Sequence, residues 1–273
     1  MTVEELQEPV RLPFNDFRDE YRRYTHSVAP LLHDVEEYLA QIPGKQLRPL
    51  ILLLSAKACN TLTHSHILLA TAIELLHNAT LMHDDVVDES DTRRGHESVR
   101  HRWSNQVAVL CGDYYLSQVM SILHEVGSAD ASNLIAHTVA TMSQGELKQL
   151  SLTTKKEITL DEYIDIIDSK TASLMSLCCE LGAMPLPDHK GHDYRKAMHD
   201  FGYHYGLVFQ IRDDVNDTLS PHDIGFPKDF NAERMIEKHR DLAIQALDAI
   251  PSSPAKDALG NLLMPSAPCP DNT

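Results

Sequence analysis

The sequence predicts an all-α fold, a bundle of long antiparallel helices, on three observations. Side chains that pack together recur three and four residues apart, as along Ile67, Leu68, Thr71, Ala72, Leu75, Leu76 and Ala79. That spacing sets them on one side of a helix with 3.6 residues per turn. Glycine is scarce, 11 in 273 residues, and the alternation of β-branched residues that marks a strand is hard to find. Several segments are apolar nearly all round, the pattern of helices at the centre of a bundle.

Taken in order, the pattern predicts helices over 15–40, 46–59, 64–89, 105–125, 130–152, 160–183, 192–218 and 231–250. The breaks between them have chemical causes: Pro43-Gly44, the polar stretch Glu89–His96, the prolines Pro185 and Pro187, and the run Ser220–Pro227. No low-complexity linker divides the chain, so residues 1–273 are expected to form a single domain.

The 40 acidic side chains against 24 basic ones, a net charge of -16, argue against a general affinity for nucleic acid, whose phosphates are bound by basic surface. An acidic protein that binds phosphates needs local positive charge, from metal ions or a few placed Lys and Arg. The first residues, MTVEELQEPV, lack the basic and apolar regions of a signal peptide. No run approaches the ~20 apolar residues of a membrane span. The expectation is a cytoplasmic protein with no integral membrane segment. Cys59, Cys111, Cys178, Cys179 and Cys269 show no paired metal-ligand spacing, and Cys178-Cys179 lies in an apolar run that predicts buried free thiols.

Two aspartate clusters carry the chemistry. Asp84 and Asp88 are four apart, so a helix projects both carboxylates from one face, with Asp85 beside them. Asp213, Asp214 and Asp217 repeat the geometry. A lone pair at this spacing would be a solvated acidic face. Here the flanking segments, 72–87 and 205–215, are mostly apolar, so both clusters should lie at the edge of buried surface. Carboxylates crowded there lose hydration and repel one another, at a cost of several kcal/mol unless neutralised. A hard divalent cation supplies that charge. Mg²⁺ takes one or two protein carboxylates, keeps waters and completes its shell with phosphate oxygens. Two facing clusters could hold several such ions around one diphosphate.

Positive groups follow the same logic. Lys45 and Arg48 are three apart at the start of a helix, where anions are favoured and Arg adds forked donors. Arg93 and Arg94 follow the first cluster in a stretch able to fold back over a bound diphosphate. Lys170 and Thr171 interrupt an apolar helix, and a buried lysine needs a partner. Gln210 stands three before Asp213 on its face. His77 stands two helical turns before Asp84 and points toward the presumed site.

In this order, the stretches GKQLRP, HNATLMHDDVVDESDTRRG, VLCGDYYLSQ, QGELKQL, SKTASL and GLVFQIRDDVND resemble the trans-isoprenyl diphosphate synthases, the polyprenyl synthase family, over about residues 20 to 225. The resemblance implies an isoprenoid-synthase-type helical bundle around a central cavity, usually a homodimer. It also implies Mg²⁺-dependent condensation of an allylic diphosphate with isopentenyl diphosphate, head to tail. By similarity, Asp84, Asp85, Asp88, Asp213, Asp214 and Asp217 would hold Mg²⁺ against the allylic diphosphate, and Arg93, Lys170, Thr171 and Gln210 would serve that substrate. Lys45, Arg48, His77 and Arg94 would bind isopentenyl diphosphate. The catalytic set that the resemblance implies is Asp84, Asp85, Asp88, Lys170, Asp213 and Asp214. Ala79 and Thr80, one turn before Asp84, fall where bulky aromatics give this family short products; their small side chains imply a product longer than twenty carbons.

The resemblance changes after about residue 225. The family continues with a Gly-Lys-Pro element and further helices, whereas this chain reads Gly225-Phe226-Pro227-Lys228, with Phe226 where the lysine would fall. It passes at once to a segment like the family's last helices, so the C-terminal part is shortened. A partner subunit of a prenyl synthase complex, catalytic only with another chain, is therefore a second expectation. A metal-dependent phosphohydrolase, suggested by His83-Asp84, is a third. A terpene cyclase would share the first cluster but not the motif DDVND.

Overall fold

The computed structural model describes residues 2–42, 44–152, 157–186, 193–216 and 226–264. Apart from one two-stranded hairpin, their regular structure is helical. A short α1 (Val3–Gln7) opens on a capping box in which Thr2 and Glu5 satisfy each other's backbone N–H groups. A 3₁₀ turn (Glu8–Val10) leads into α2 (Arg11–Thr25). The single helix expected over 15–40 is two: α3 (Pro30–Ala40) starts afresh, because Ala29 is extended ahead of Pro30 and the proline cannot continue a helix.

The next three helices follow the predicted order. They are α4 (Leu47–Ala58), α5 (His64–Val87), capped by Thr63, and, after a loop, α7 (Asn105–Val126). The polar stretch after the first cluster is not plain loop. It forms an antiparallel hairpin, β1 (Thr92–Arg93) with β2 (His96–Glu97), followed by a turn of helix, α6 (Val99–Arg102). Its two central residues, Arg94 and Gly95, both have positive φ, the combination of a type I′ turn that suits the twist of a hairpin. Gly127, at φ 66°, ends α7, and α8 (Ala129–Leu152) runs back.

The segment expected as one helix over 160–183 bulges in its middle. α9 (Leu160–Ile167) passes through a π turn, Asp168–Ala172, into α10 (Ser173–Ala183). α11 (Arg195–Asn216) and α12 (Ala232–Leu247) match the last two predicted helices; α13 (Pro254–Asn261), started by the Ser253 cap and Pro254, was not foreseen.

The core runs along α4, α5 and α10, with α5 packed most extensively on α7, and α10 on α4 and α11. Residues 50–54 and 68–70 are almost entirely enclosed. α10 meets α4 so closely that a Cβ on Gly182 would stand 2.4 Å from the Leu52 carbonyl oxygen. A smaller apolar cluster joins α9, the π turn, α11 and α12 around Tyr163, Ile167, Ala172, Leu207 and Ile211. Cys59, Cys111, Cys178 and Cys179 are buried and unbridged, and burial pushes the thiols of Cys59 and Cys178 up to about 12. Cys269 lies outside the described residues. Among the described residues no helix is long and apolar enough to cross a membrane.

Candidate active site

Both aspartate clusters sit at helix C-termini. Asp84 and Asp85 occupy the last turn of α5 and Asp88 caps it, while Asp213 and Asp214 occupy the last turn of α11. Asp217 lies outside the described residues. Neither helix has a basic residue in its last turn. The carbonyl end of a helix carries partial negative charge, so a carboxylate there is disfavoured by about 0.3–1 kcal/mol before its neighbours are counted. Asp85 is only 4% exposed. Burial raises the Asp84 carboxyl to about 6; Lys170 pulls it back, while Glu146 and Asp88 push it further up. The two helix ends therefore concentrate negative charge that the surroundings only partly compensate.

The hairpin returns cations to this place. Arg93 donates through Nε and Nη2 to Oδ1 of Asp85, at 3.0 and 2.5 Å. Arg94, on the turn, lies over Gly44, where an added Cβ would stand 2.5 Å from its guanidinium carbon. The glycine of GKQLRP thus makes the space that Arg94 fills. Lys45 precedes α4, and Arg48 lies in its first turn. Arg48 Nη1 is 2.8 Å from His77 Nε2, while its buried Nε has no hydrogen-bond partner. Burial, then Arg48, Arg94 and Arg93, hold His77 well below its ordinary range, so the ring is neutral and accepts from Arg48. Lys45, Arg48, His77, Arg93, Arg94 and Asp213 line one cavity of about 150 Å³, closed on its apolar side by Leu81 and Phe209.

Lys170 lies on the π turn, an irregularity that lets one side chain leave the helical register and that recurs at functional sites. Its ammonium is 3.2 Å from Glu146 and 3.4 Å from the side-chain oxygen of Gln149, both on α8. Thr171 donates to Gln210 Oε1 at 2.6 Å, and Gln210 Nε2 donates to Asp214 Oδ1 at 2.7 Å. Tyr163 completes the chain, donating to Asp214 Oδ2 at 2.6 Å. Sequence reasoning missed Glu146, Gln149 and Tyr163. Glu146 and Gln149 are three apart on one helix face, and Tyr163 is seven before Lys170, but that spacing does not say what they hold. Ala79 is fully enclosed in the core and Thr80 bonds back to the His77 carbonyl; neither lines the cavity.

Among the described residues, no three His, Cys, Asp or Glu side chains converge into a ready-made metal cage. What the helix ends present is three carboxylates on α5 and two on α11, beside cations that suit phosphate oxygens. That donor set fits a hard cation of the Mg²⁺ kind, which retains waters and takes the rest of its ligands from a bound phosphate.

Fold and site together define an all-α bundle of the isoprenoid-synthase type, with acidic clusters ending two of its helices. The chain belongs to the polyprenyl synthetase family, whose pattern residues 29–251 match. It is 32% identical over 210 residues to heptaprenyl diphosphate synthase component 2 of Bacillus subtilis strain 168, covering 76% of this chain and 60% of that protein. It is 36% identical over 198 residues to all-trans-nonaprenyl-diphosphate synthase (geranyl-diphosphate specific) of Rhodobacter capsulatus, covering 72% and 60%. The chain thus spans about 60% of the length of these relatives. The fold superposes with a TM-score of 0.86 on a Caulobacter crescentus CB15 polyprenyl synthase complexed with calcium and isoprenyl diphosphate, at 22% identity, covering 96% of each chain.

Proposed function

We propose that this chain is a prenyltransferase that condenses an allylic diphosphate with isopentenyl diphosphate, head to tail. The observation that carries the reading is the cavity in which Lys45, Arg48, His77 and Arg94 meet Arg93 and Asp213. Cationic groups suited to one diphosphate meet there an aspartate of the second cluster, the arrangement needed to set a metal-bound diphosphate beside another held by Lys and Arg. The names of the relatives, synthases of prenyl diphosphates, and the calcium and isoprenyl diphosphate of the Caulobacter protein point the same way.

Asp84, Asp85 and Asp88, with Asp213, Asp214 and Asp217, would hold Mg²⁺ (several ions per site in this reading), which when bound neutralises charge on the departing diphosphate. Arg93, Lys170, Thr171 and Gln210 bind the allylic diphosphate. Lys170 exchanges its contact with Glu146 for the phosphate. Lys45, Arg48 and Arg94 bind isopentenyl diphosphate, and neutral His77 orients Arg48. The allylic carbon leaves its diphosphate as a cation and the double bond of isopentenyl diphosphate attacks it. Leu81 and Phe209 help exclude water from that step. The proton lost at the end passes to the released diphosphate, so no side-chain base is required. Ala79 and Thr80 place no bulky ring one turn before Asp84, and on the family resemblance the product is longer than twenty carbons.

The reading includes a single-domain, cytoplasmic homodimer. Val109, Leu110 and Met120 stand exposed on α7, apolar surface that a second copy would cover. A second reading is favoured by one observation, the name "component 2" of the Bacillus relative. It makes this shortened chain one subunit of a two-component synthase. Incubation of the purified chain with both diphosphates and Mg²⁺ separates the two: turnover by the chain alone supports the first, and turnover only after a second component is added supports the other.

A further inference from the structure

We propose that Tyr163 is a positioning residue for the second acidic cluster, fixing Asp214 through its hydroxyl and fixed in turn by the rings of Phe226 and Phe230. The proposal rests on the metal-and-diphosphate reading of the site given above.

Tyr163 is 1% exposed, and its hydroxyl donates to Asp214 Oδ2 at 2.6 Å. The other oxygen, Oδ1, accepts from Gln210 Nε2 at 2.7 Å. Each oxygen of Asp214 therefore takes a neutral donor from a different direction, which sets both the rotamer of the side chain and the plane of the carboxylate. Consecutive residues on a helix project about 100° apart. With Asp214 anchored toward α9, the preceding Asp213 is left facing the cavity it lines with Lys45 and Arg48.

Tyr163 is itself confined. Its ring meets Phe230 edge-on at 5.0 Å and Phe226 at 5.7 Å, and those two rings stack at 5.0 Å with 11° between their planes. On the family resemblance, Phe226 falls where a lysine is expected. In this chain the position supports the second cluster with a ring instead of a charge. Tyr163 also lies on α9, the helix that runs directly into the π turn carrying Lys170 and Thr171. A single hydroxyl thus ties α9 to the end of α11. Groups that orient a metal ligand without touching the metal commonly change its affinity 10- to 100-fold when removed.

The test is calorimetric titration of Mg²⁺ into the protein with inorganic diphosphate present, beside binding of isopentenyl diphosphate and thermal denaturation. Tyr163→Phe retains the ring and removes only the donor. The expected result is a Kd for Mg²⁺ raised about tenfold, with isopentenyl diphosphate binding and Tm unchanged. An unchanged Kd overturns the proposal. So does a parallel loss of both ligands with a fall in Tm, which would make the residue a structural one. If Tyr163→Phe does not fold, Phe226→Ala carries the question, since it removes only the outer ring: weaker Mg²⁺ binding with intact isopentenyl diphosphate binding supports the proposal, and unchanged binding overturns it. Wild-type protein that takes up no Mg²⁺ with diphosphate counts against the reading of the site itself, not against the role of Tyr163 within it.

Discussion

Gly44 shows how closely the cavity is fitted at the scale of single residues. The guanidinium of Arg94 occupies the space a Cβ would take, so Gly44→Ala must displace it from the cavity wall. Misplacing a substrate-holding group by about 1 Å can cost up to ~10²-fold in rate. Gly44→Ala is expected to raise the KM for isopentenyl diphosphate about tenfold while the KM for the allylic substrate stays near wild type; equal KM values in steady-state assays would contradict the assignment. Ala79 poses a different question. It is fully enclosed, and Ala79→Phe adds a ring one turn below Asp84. Chromatography should show a shorter product. Unchanged product length in a folded variant would remove the chain-length role. The charged residues were legible in the sequence because Asp84, Asp213 and Lys170 interrupt apolar helices. Their fixers were not. Glu146 and Tyr163 belong to helices remote in sequence from what they hold, and only folding brings them there.

At the scale of elements, the seam between α11 and α12 carries a titratable contact. His204 and His239 face each other with Nδ1 atoms 3.0 Å apart, so one ring donates and the other, neutral at that nitrogen, accepts. Burial lowers His239 to about 4, with His204 and Lys238 adding to the effect, and burial lowers His204 as well. Unfolded, each ring titrates near 6.5. Between those values the unfolded chain binds more protons than the folded one, so stability is present above about 6.5 and is lost as pH falls toward about 4. The fall in Tm over that window should be shallower in His239→Gln than in wild type, and identical pH profiles would contradict the assignment. Most elements were legible from apolar spacing because each buries a continuous face. Two features were not. The break at Ala29-Pro30 was overridden by helical patterning on both sides, although the proline marks it. The π turn leaves no trace in side-chain periodicity, because a bulge shifts register by a single residue within an apolar run.

For the molecule as a whole, the question is whether a chain spanning about 60% of its relatives' length carries the proposed activity by itself. The α4, α5 and α11 helices and the hairpin that line the cavity are all present, and α12 packs along α11. Phe226, which on the family resemblance falls where a lysine is expected, packs on Tyr163 and Phe230. That substitution was visible in the sequence; its consequence, an aromatic wall behind Asp214, needed the fold. The most direct test of the central claim is product analysis after the purified chain is incubated with an allylic diphosphate, isopentenyl diphosphate and Mg²⁺. The account predicts a prenyl diphosphate longer than twenty carbons, formed only when Mg²⁺ is present and absent in Asp84→Asn. Release of phosphate without a new carbon–carbon bond, or no product even when a second synthase component is supplied, would contradict it.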